Sequence, residues 1–301
     1  MNTLVVVLGP TGVGKTETCL QIAEHLHSPI VNADSRQIFA ELPIGTAAPT
    51  PEQQRRVKHY FVGTHHITDY YSAAMYEEDV MRLLTGPGAL FQQTNPVLLT
   101  GGSMLYIDAV CKGIDEIPTV DEATRTLMKE RLAAEGLPAL VEELRQKDPA
   151  HWAIVDKNNP RRVVHALEIC HMTGQTYTSF RKNNHKQRPF KVQKIGLNRP
   201  REELYDRINL RVLSMMKQGL EAEARAVYPQ RGLNALHTVG YRELFDYFDG
   251  TITREEAIRR IQSDTRQYMR KQLTWFKKDP DIRWFHPDNI EEIIKYIAQA
   301  A

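Results

Sequence analysis

A chain of 301 residues is long enough for one large or two modest domains, and 42% hydrophobic with 25% charged residues is the balance of a soluble globular protein. The net charge of +2 excludes a wholly basic nucleic-acid binder, so any signal for such a partner must be local. Three cysteines (Cys19, Cys111 and Cys170), far apart and without a CxxC pair, argue against a disulfide framework or a zinc cluster and for a reducing cytoplasm.

The apolar run at the start is too short to cross a membrane, and no membrane partner is expected. Leu4–Leu8 reads as a strand buried on both faces, followed by a glycine-punctuated loop over residues 9–16 and a helix over Glu17–Leu26. Ile30–Ala33 and Pro96–Thr100 read as further core strands. Strands alternating with helices at this spacing predict an α/β fold with a parallel sheet. From Thr119 to about Arg188 the strand signal stops. Arg125–Ala134, Pro138–Lys147 and Arg161–Met172 have helical spacing, punctuated by Pro118, Pro149 and Pro160. The expected organisation is a catalytic core over 1–118, a helical insertion over 119–190, and the second part of the core over 191–301. In that last part Val192–Asn198 and Ile282–Phe285 read as strands. Glu202–Tyr228, Val239–Phe248 and Glu255–Lys278 read as helices.

Gly9-Pro10-Thr11-Gly12-Val13-Gly14-Lys15-Thr16 satisfies GxxxxGK[ST] at every fixed position. Glycines let backbone N–H groups turn in around phosphate oxygens, the following helix offers its positive end, Lys15 adds a charge, and the Thr16 hydroxyl can ligate Mg²⁺. The strand before and the helix after are the context this motif requires, giving a P-loop NTPase-like core. The acid that usually completes the metal site is missing: the best candidate strand runs into Gly101-Gly102-Ser103. An acid follows the second strand instead, as Asp34. It has the placement of a general base, a metal ligand, a substrate acceptor or simply a helix N-cap. Such a loop can hold a polyphosphate without hydrolysing it, although a small-molecule kinase can also carry an acid there.

Around these residues the sequence resembles the tRNA dimethylallyltransferase family (isopentenyl-diphosphate:tRNA transferases). The resembling blocks are GPTGVGKT at 9–16, NADSRQIF at 32–39, IGTAAPT at 44–50, GGSMLY at 101–106, NPRRVVHALE at 159–168, LYDRINLRVLSMMKQGLEAE at 204–223, TVGYRE at 238–243 and TRQYMRKQLTWF at 265–276. They follow the family order and span nearly the whole chain. The resemblance implies a P-loop core with a helical tRNA-binding insertion. The implied reaction transfers a dimethylallyl group from dimethylallyl diphosphate, with Mg²⁺, to the exocyclic amine of the adenosine 3′ of the anticodon. The anticodon stem-loop of tRNA is then the macromolecular partner, and a monomer is expected.

Carried over residue by residue, Gly9 to Thr16 hold the diphosphate, Arg211 helps bind it, and Asp34 serves as base or acceptor for the adenine amine. Ser35, Arg36 and Gln37 continue the adenine-side loop. Ser103 and Arg125 match tRNA-contacting positions, as do two stretches: Arg161, Arg162, Val163, Val164 and His165, and then His237, Thr238, Val239, Gly240, Tyr241 and Arg242. The family pattern is altered at Ala48, where a lysine is usual, at Arg36, Ser103 and His165, and over Met269-Arg270-Lys271.

The chemistry suits these residues. An allylic diphosphate leaves as an anion, which a P-loop, Lys15, Mg²⁺ and Arg211 stabilise, while a neutral adenine amine needs a carboxylate to take its proton. A stacked base must be extruded to reach a buried site. Between Glu168 and Glu202 there is no acidic residue, whereas Arg181, Lys182, Lys186, Arg188, Lys191, Lys194, Arg199 and Arg201 are interleaved with Tyr177, Phe180 and Phe190. That composition fits either a phosphate-binding patch or a solvated loop with its aromatics in the core. On the helix at Glu255–Lys278, Ile258, Ile261, Tyr268, Trp275 and Phe276 read as core. Some of Arg259, Arg266, Arg270 and Lys271 are expected to face a substrate channel. The rival activities are an ATP-dependent small-molecule or nucleotide kinase and a transferase that prenylates free adenine nucleotides.

Overall fold

A computed structural model describes residues 1–182 and 185–300. It divides into two compact units, residues 1–112 with 187–301 and residues 113–186.

The larger unit is built on six parallel strands: β1 (Thr3–Leu8), β2 (Ile30–Asn32), β3 (His59–Tyr60), β4 (Val97–Gly101), β5 (Lys191–Leu197) and β6 (Ile282–Phe285), in the spatial order β3-β2-β4-β1-β5-β6. β1 is fully buried between β4 and β5, which is why it reads as an unbroken apolar run rather than an alternating one. The register pairs Leu8 with Gly101 and Asn32 with Thr100, so the carboxyl ends of β1, β2 and β4 finish side by side. Parallel sheets place their ligands at that edge.

All five predicted strands are present. β3 escapes sequence reading because it is two residues long and half-buried, too short to show a period. The helices Ala73–Thr85, Met104–Lys112 and Ile290–Ala300 are also additions to the sequence reading. The single helix expected over Glu202–Tyr228 is corrected to two. Gly219 adopts φ 105° after Arg201–Gln218, and a new helix runs over Leu220–Val227.

The basic run needs the larger correction. Phe190 is buried and packs against Phe91. Arg188 is buried, 2.6 Å from Glu77, and Lys194 is buried on β5, 2.7 Å from Asp279. Arg199 is held by Asp288 and Glu203. These cations stitch the fold together and are not available to an RNA backbone. A charge count along the chain cannot separate a cation paired across the fold from one facing solvent.

The unit at 113–186 has helices over Glu122–Lys147, Pro149–Ile154, Pro160–Thr173 and Tyr177–Phe180. The first is broken at Gly136 (φ 79°, ψ 163°), matching the two helices read from the sequence. Met128, Leu140, Leu144, Val163, Ala166 and Leu167 form its core. Asp148 is its buried polar anchor. The carboxylate accepts from the His151 amide at 3.0 Å, and from the Thr178 amide and hydroxyl at 2.8 and 2.7 Å. Those bonds hold the carboxyl below its usual range against the opposing effect of burial.

Candidate active site

Three loops meet where β1, β2 and β4 end, and they border a cleft of about 1030 Å³. The first is the phosphate loop. Gly14, at φ 104°, precedes the helix Lys15–Leu26 in a left-handed conformation that a side chain would strain, and that turn opens the helix N-terminus toward the cleft. Lys15 donates from Nζ to the carbonyls of Gly9 and Pro10 at 2.8 and 2.9 Å, which lays its ammonium over the curl of the loop. Desolvation, with Arg211 nearby, lowers its pKa to about 8, against the opposing pull of Asp34. The Thr16 hydroxyl has no protein partner among the described residues and faces the cleft.

Two arginines stiffen the loop from outside, and sequence reading assigned neither to it. Arg199 Nε donates to the Val13 carbonyl at 2.9 Å, and Arg207 Nε donates to the Gly12 carbonyl at 2.8 Å. Their signal was present as one arginine just after a strand and one on the helix that follows, but only the fold brings them to the loop. Val13 itself is fully buried, so only its backbone can serve a phosphate.

The second loop carries Asp34. Its Oδ1 accepts from the amides of Arg36 and Gln37 at 2.9 and 3.3 Å, which closes a local turn; the next helix begins only at Pro51, so the carboxylate is not the helix N-cap that the sequence also allowed. Its Oδ2 makes no hydrogen bond among the described residues. One oxygen thus shapes the loop and the other remains for chemistry. Gln37 is spent on structure, donating to the carbonyls of Thr46 and Ala47.

The third loop follows β4. The Ser103 hydroxyl accepts from the Ser35 amide at 2.8 Å and lies 3.1 Å from the Ser35 hydroxyl, tying the third loop to the second. Gly102 is needed because of what surrounds it. A Cβ there would lie 2.7 Å from Gln272 Nε2, and 3.9 Å from both Asp34 Oδ2 and Lys15 Nζ. The carboxylate oxygen and the ammonium therefore border the same small space. Gln272, buried on the helix Arg254–Phe276, accepts from the Thr11 amide and donates to the Gly102 carbonyl, both at 2.8 Å.

Arg211 reaches the cleft from the helix Arg201–Gln218. Burial lowers its pKa, Asp34 opposes that, and Arg207 adds repulsion. Ile208, Leu210, Val212 and Met215 from the same helix give the cleft an apolar wall. Tyr268 and Trp275 correct the expectation that they are core. Tyr268 lines the cleft, where burial and the charge of Asp34 raise its phenol well above the usual value. Trp275 is exposed and donates to Asp108 at 2.8 Å.

His237, Thr238, Val239, Gly240 and Arg242 line the cleft. Tyr241 does not. It is fully buried, and its hydroxyl donates to Glu223 at 2.6 Å while Glu223 also accepts from the amides of Ile44 and Gly45. Its role is to seat the Ile44–Gly45 turn. In the helical unit, Arg161 and Arg162 are exposed, whereas Val163 is buried in the core and offers no side chain to RNA. His165 lies 3.2 Å from Glu168, and Arg125 donates to the Val120 carbonyl.

Comparison with known proteins places the chain in a family. The family model described as IPP transferase matches residues 37–279. The chain is 62% identical to tRNA dimethylallyltransferase 1 of Phocaeicola vulgatus, over 98% of both chains, and 59% identical to that of Bacteroides fragilis, over 98% and 97%. The crystal structure of a tRNA isopentenylpyrophosphate transferase from Bacillus halodurans superposes with a TM-score of 0.72 at 33% identity, covering 99% of this chain and 96% of that one.

Proposed function

The chain belongs to the tRNA dimethylallyltransferase family, and on that premise we propose how its cleft carries out transfer of a dimethylallyl group to tRNA. The observation that carries the reading is the meeting of Asp34 Oδ2 and Lys15 Nζ around Gly102. One side of that space grips an anion and the other accepts a proton.

In this reading the diphosphate of the donor lies on the amides of the Gly9–Thr16 loop, with Lys15 and Arg211 against its oxygens. The hydrocarbon tail rests on the apolar wall from Ile208 to Met215. The adenosine 3′ of the anticodon is extruded into the cleft, its exocyclic amine toward Asp34. The amine nitrogen attacks the donor's allylic carbon, the carbon–oxygen bond breaks, diphosphate departs, and Asp34 receives the amine proton. Departure of the anion is the step the cations and loop amides favour most, because they are fixed in place before charge develops.

The residues also fit Mg²⁺. This ion keeps several waters and takes few protein ligands beside substrate phosphates, and the unpartnered Thr16 hydroxyl is such a ligand. Bound there with the diphosphate oxygens, it would supply further neutralisation of the leaving group.

Residues 113–186, with Arg161 and Arg162 exposed, form the RNA-binding insertion in this reading. The protein acts as a cytoplasmic monomer. No helix among the described residues is long and apolar enough to cross a membrane. The test is nucleoside mass spectrometry of tRNA incubated with the protein, Mg²⁺ and dimethylallyl diphosphate. One adenosine is expected to gain a five-carbon unit in place of a hydrogen. An unmodified tRNA pool that binds the protein would defeat the reading.

A further inference from the structure

The transfer reaction develops two charges, and the cations of the cleft meet only one of them. The phosphate loop, Lys15 and Arg211 face the leaving anion. The allyl group becomes positive as its carbon–oxygen bond breaks. A surface suited to that fragment is electron-rich and offers no free lone pair for the fragment to alkylate. The face of an aromatic ring meets both conditions. Among the described residues that line the cleft, Tyr268 alone carries a phenyl or indole ring; the other aromatic side chains there are the imidazoles of His59 and His237.

Its place along the helix Arg254–Phe276 fits that task. Asp264, Tyr268 and Gln272 follow each other four residues apart and all line the cleft, so they share one face, about 6 Å apart along the axis. Gln272 at one end holds the phosphate loop through the Thr11 amide. Asp264 at the other end stands 3.8 Å from Arg242, which also lines the cleft. Tyr268 lies between them. A five-carbon chain is about as long as one helical turn, ~5.4 Å, so a tail rooted on the phosphate loop reaches the level of Tyr268. The tyrosine hydroxyl is hydrogen-bonded to Ser103, the residue after Gly102, around which Asp34 Oδ2 and Lys15 Nζ meet. Tyr268 is 38% exposed while lining the cleft, which leaves ring area for a ligand. Burial and the charge of Asp34 keep it a neutral phenol, so its oxygen does not compete with the adenine amine for the allylic carbon.

We propose that the ring face of Tyr268 stabilises the positive charge on the allyl group as diphosphate departs, which makes Tyr268 a catalytic residue of the transfer. The ring forms no bond. The amine nitrogen bonds to the allylic carbon, diphosphate leaves with the electron pair of the broken bond, and Asp34 takes the proton. This rests on the transfer reading above.

The test is single-turnover prenyl transfer from saturating dimethylallyl diphosphate and Mg²⁺ to tRNA, with the full-length protein. Wild type is compared with Tyr268→Phe, Tyr268→Leu and Tyr268→trifluorophenylalanine, whose fluorines withdraw electron density from the ring face. The Phe variant keeps the face and is expected within about threefold of wild type, whereas the Leu variant should be slower by roughly tenfold. The trifluorinated ring should fall close to Leu, although its shape is close to that of Phe. Donor KM and tRNA affinity should stay at the wild-type values in all three. A Leu variant as fast as wild type would overturn the proposal. A trifluorinated ring as fast as Phe would also overturn it, because stacking on the base needs no electron-rich face. So would a Phe variant as slow as Leu, which would assign the effect to the hydroxyl on Ser103. The comparison of Phe with its fluorinated form decides the matter even where the Leu variant folds poorly. If wild type transfers no prenyl group, the transfer reading falls, and the proposal with it.

Discussion

Gln272 points its side-chain nitrogen at the Gly102 carbonyl 2.8 Å away, in the very space a side chain at Gly102 would need. Its oxygen accepts from the Thr11 amide, so one buried side chain sets the distance between the phosphate loop and the loop after β4. Replacing it with leucine strands both backbone groups. The expected cost is about 1–3 kcal/mol for each buried group left unsatisfied, read from urea unfolding. Gly102→Ala should also lower kcat/KM, because its methyl group enters the space shared by Asp34 and Lys15. Wild-type kinetics in both variants would remove Gln272 from the site.

The two oxygens of Asp34 can be separated experimentally. Asp34→Asn keeps an acceptor for the amides of Arg36 and Gln37 but cannot take a proton, whereas Asp34→Ala loses both functions. Prenyl transfer should fall by roughly 10²–10⁴ in both, the usual contribution of a positioned base. Only the alanine variant should also lose about 1 kcal/mol of stability, the typical net worth of a lost hydrogen bond. Thermal denaturation beside single-turnover kinetics distinguishes the two effects.

The pKa of Lys15, lowered to about 8, gives donor binding a pH dependence of definite sign. Below that value the ammonium is charged and grips the diphosphate; above it the charge is lost. KM for dimethylallyl diphosphate should therefore rise as pH passes from 7 through 8 to 9. Lys15→Met should bind the donor weakly at every pH and show no such rise. A flat wild-type profile would mean that the bound diphosphate holds the proton on Lys15 throughout.

Tyr241→Phe tests the reassignment of a residue from RNA contact to loop support. Removing its hydroxyl leaves Glu223 with only the amides of Ile44 and Gly45. The expected loss is about 0.5–1.5 kcal/mol, one hydrogen bond's net worth, seen as a lower melting temperature. Stem-loop affinity measured by anisotropy should not change.

The local chemistry was legible from sequence wherever a few adjacent residues suffice to make it. The phosphate loop is a contiguous stretch whose glycines and lysine work at fixed spacing, so Gly9–Thr16 announces itself. The buried strands beside it announce themselves by continuous apolarity. Asp34 was visible as an acid following a strand, but that one of its oxygens closes a turn rather than capping a helix is seen only in the fold.

Tertiary structure decided what depends on partners distant in the chain. Arg188 and Lys194 fitted a phosphate-binding patch and a solvated loop alike until Glu77 and Asp279 were found beside them. Arg207 and Gln272 gained a role only when their helices were brought against the phosphate loop. Spacing along a chain records which residues share a face of one element; whether that face meets a carboxylate, a backbone carbonyl or solvent is settled by the packing of elements far apart in sequence.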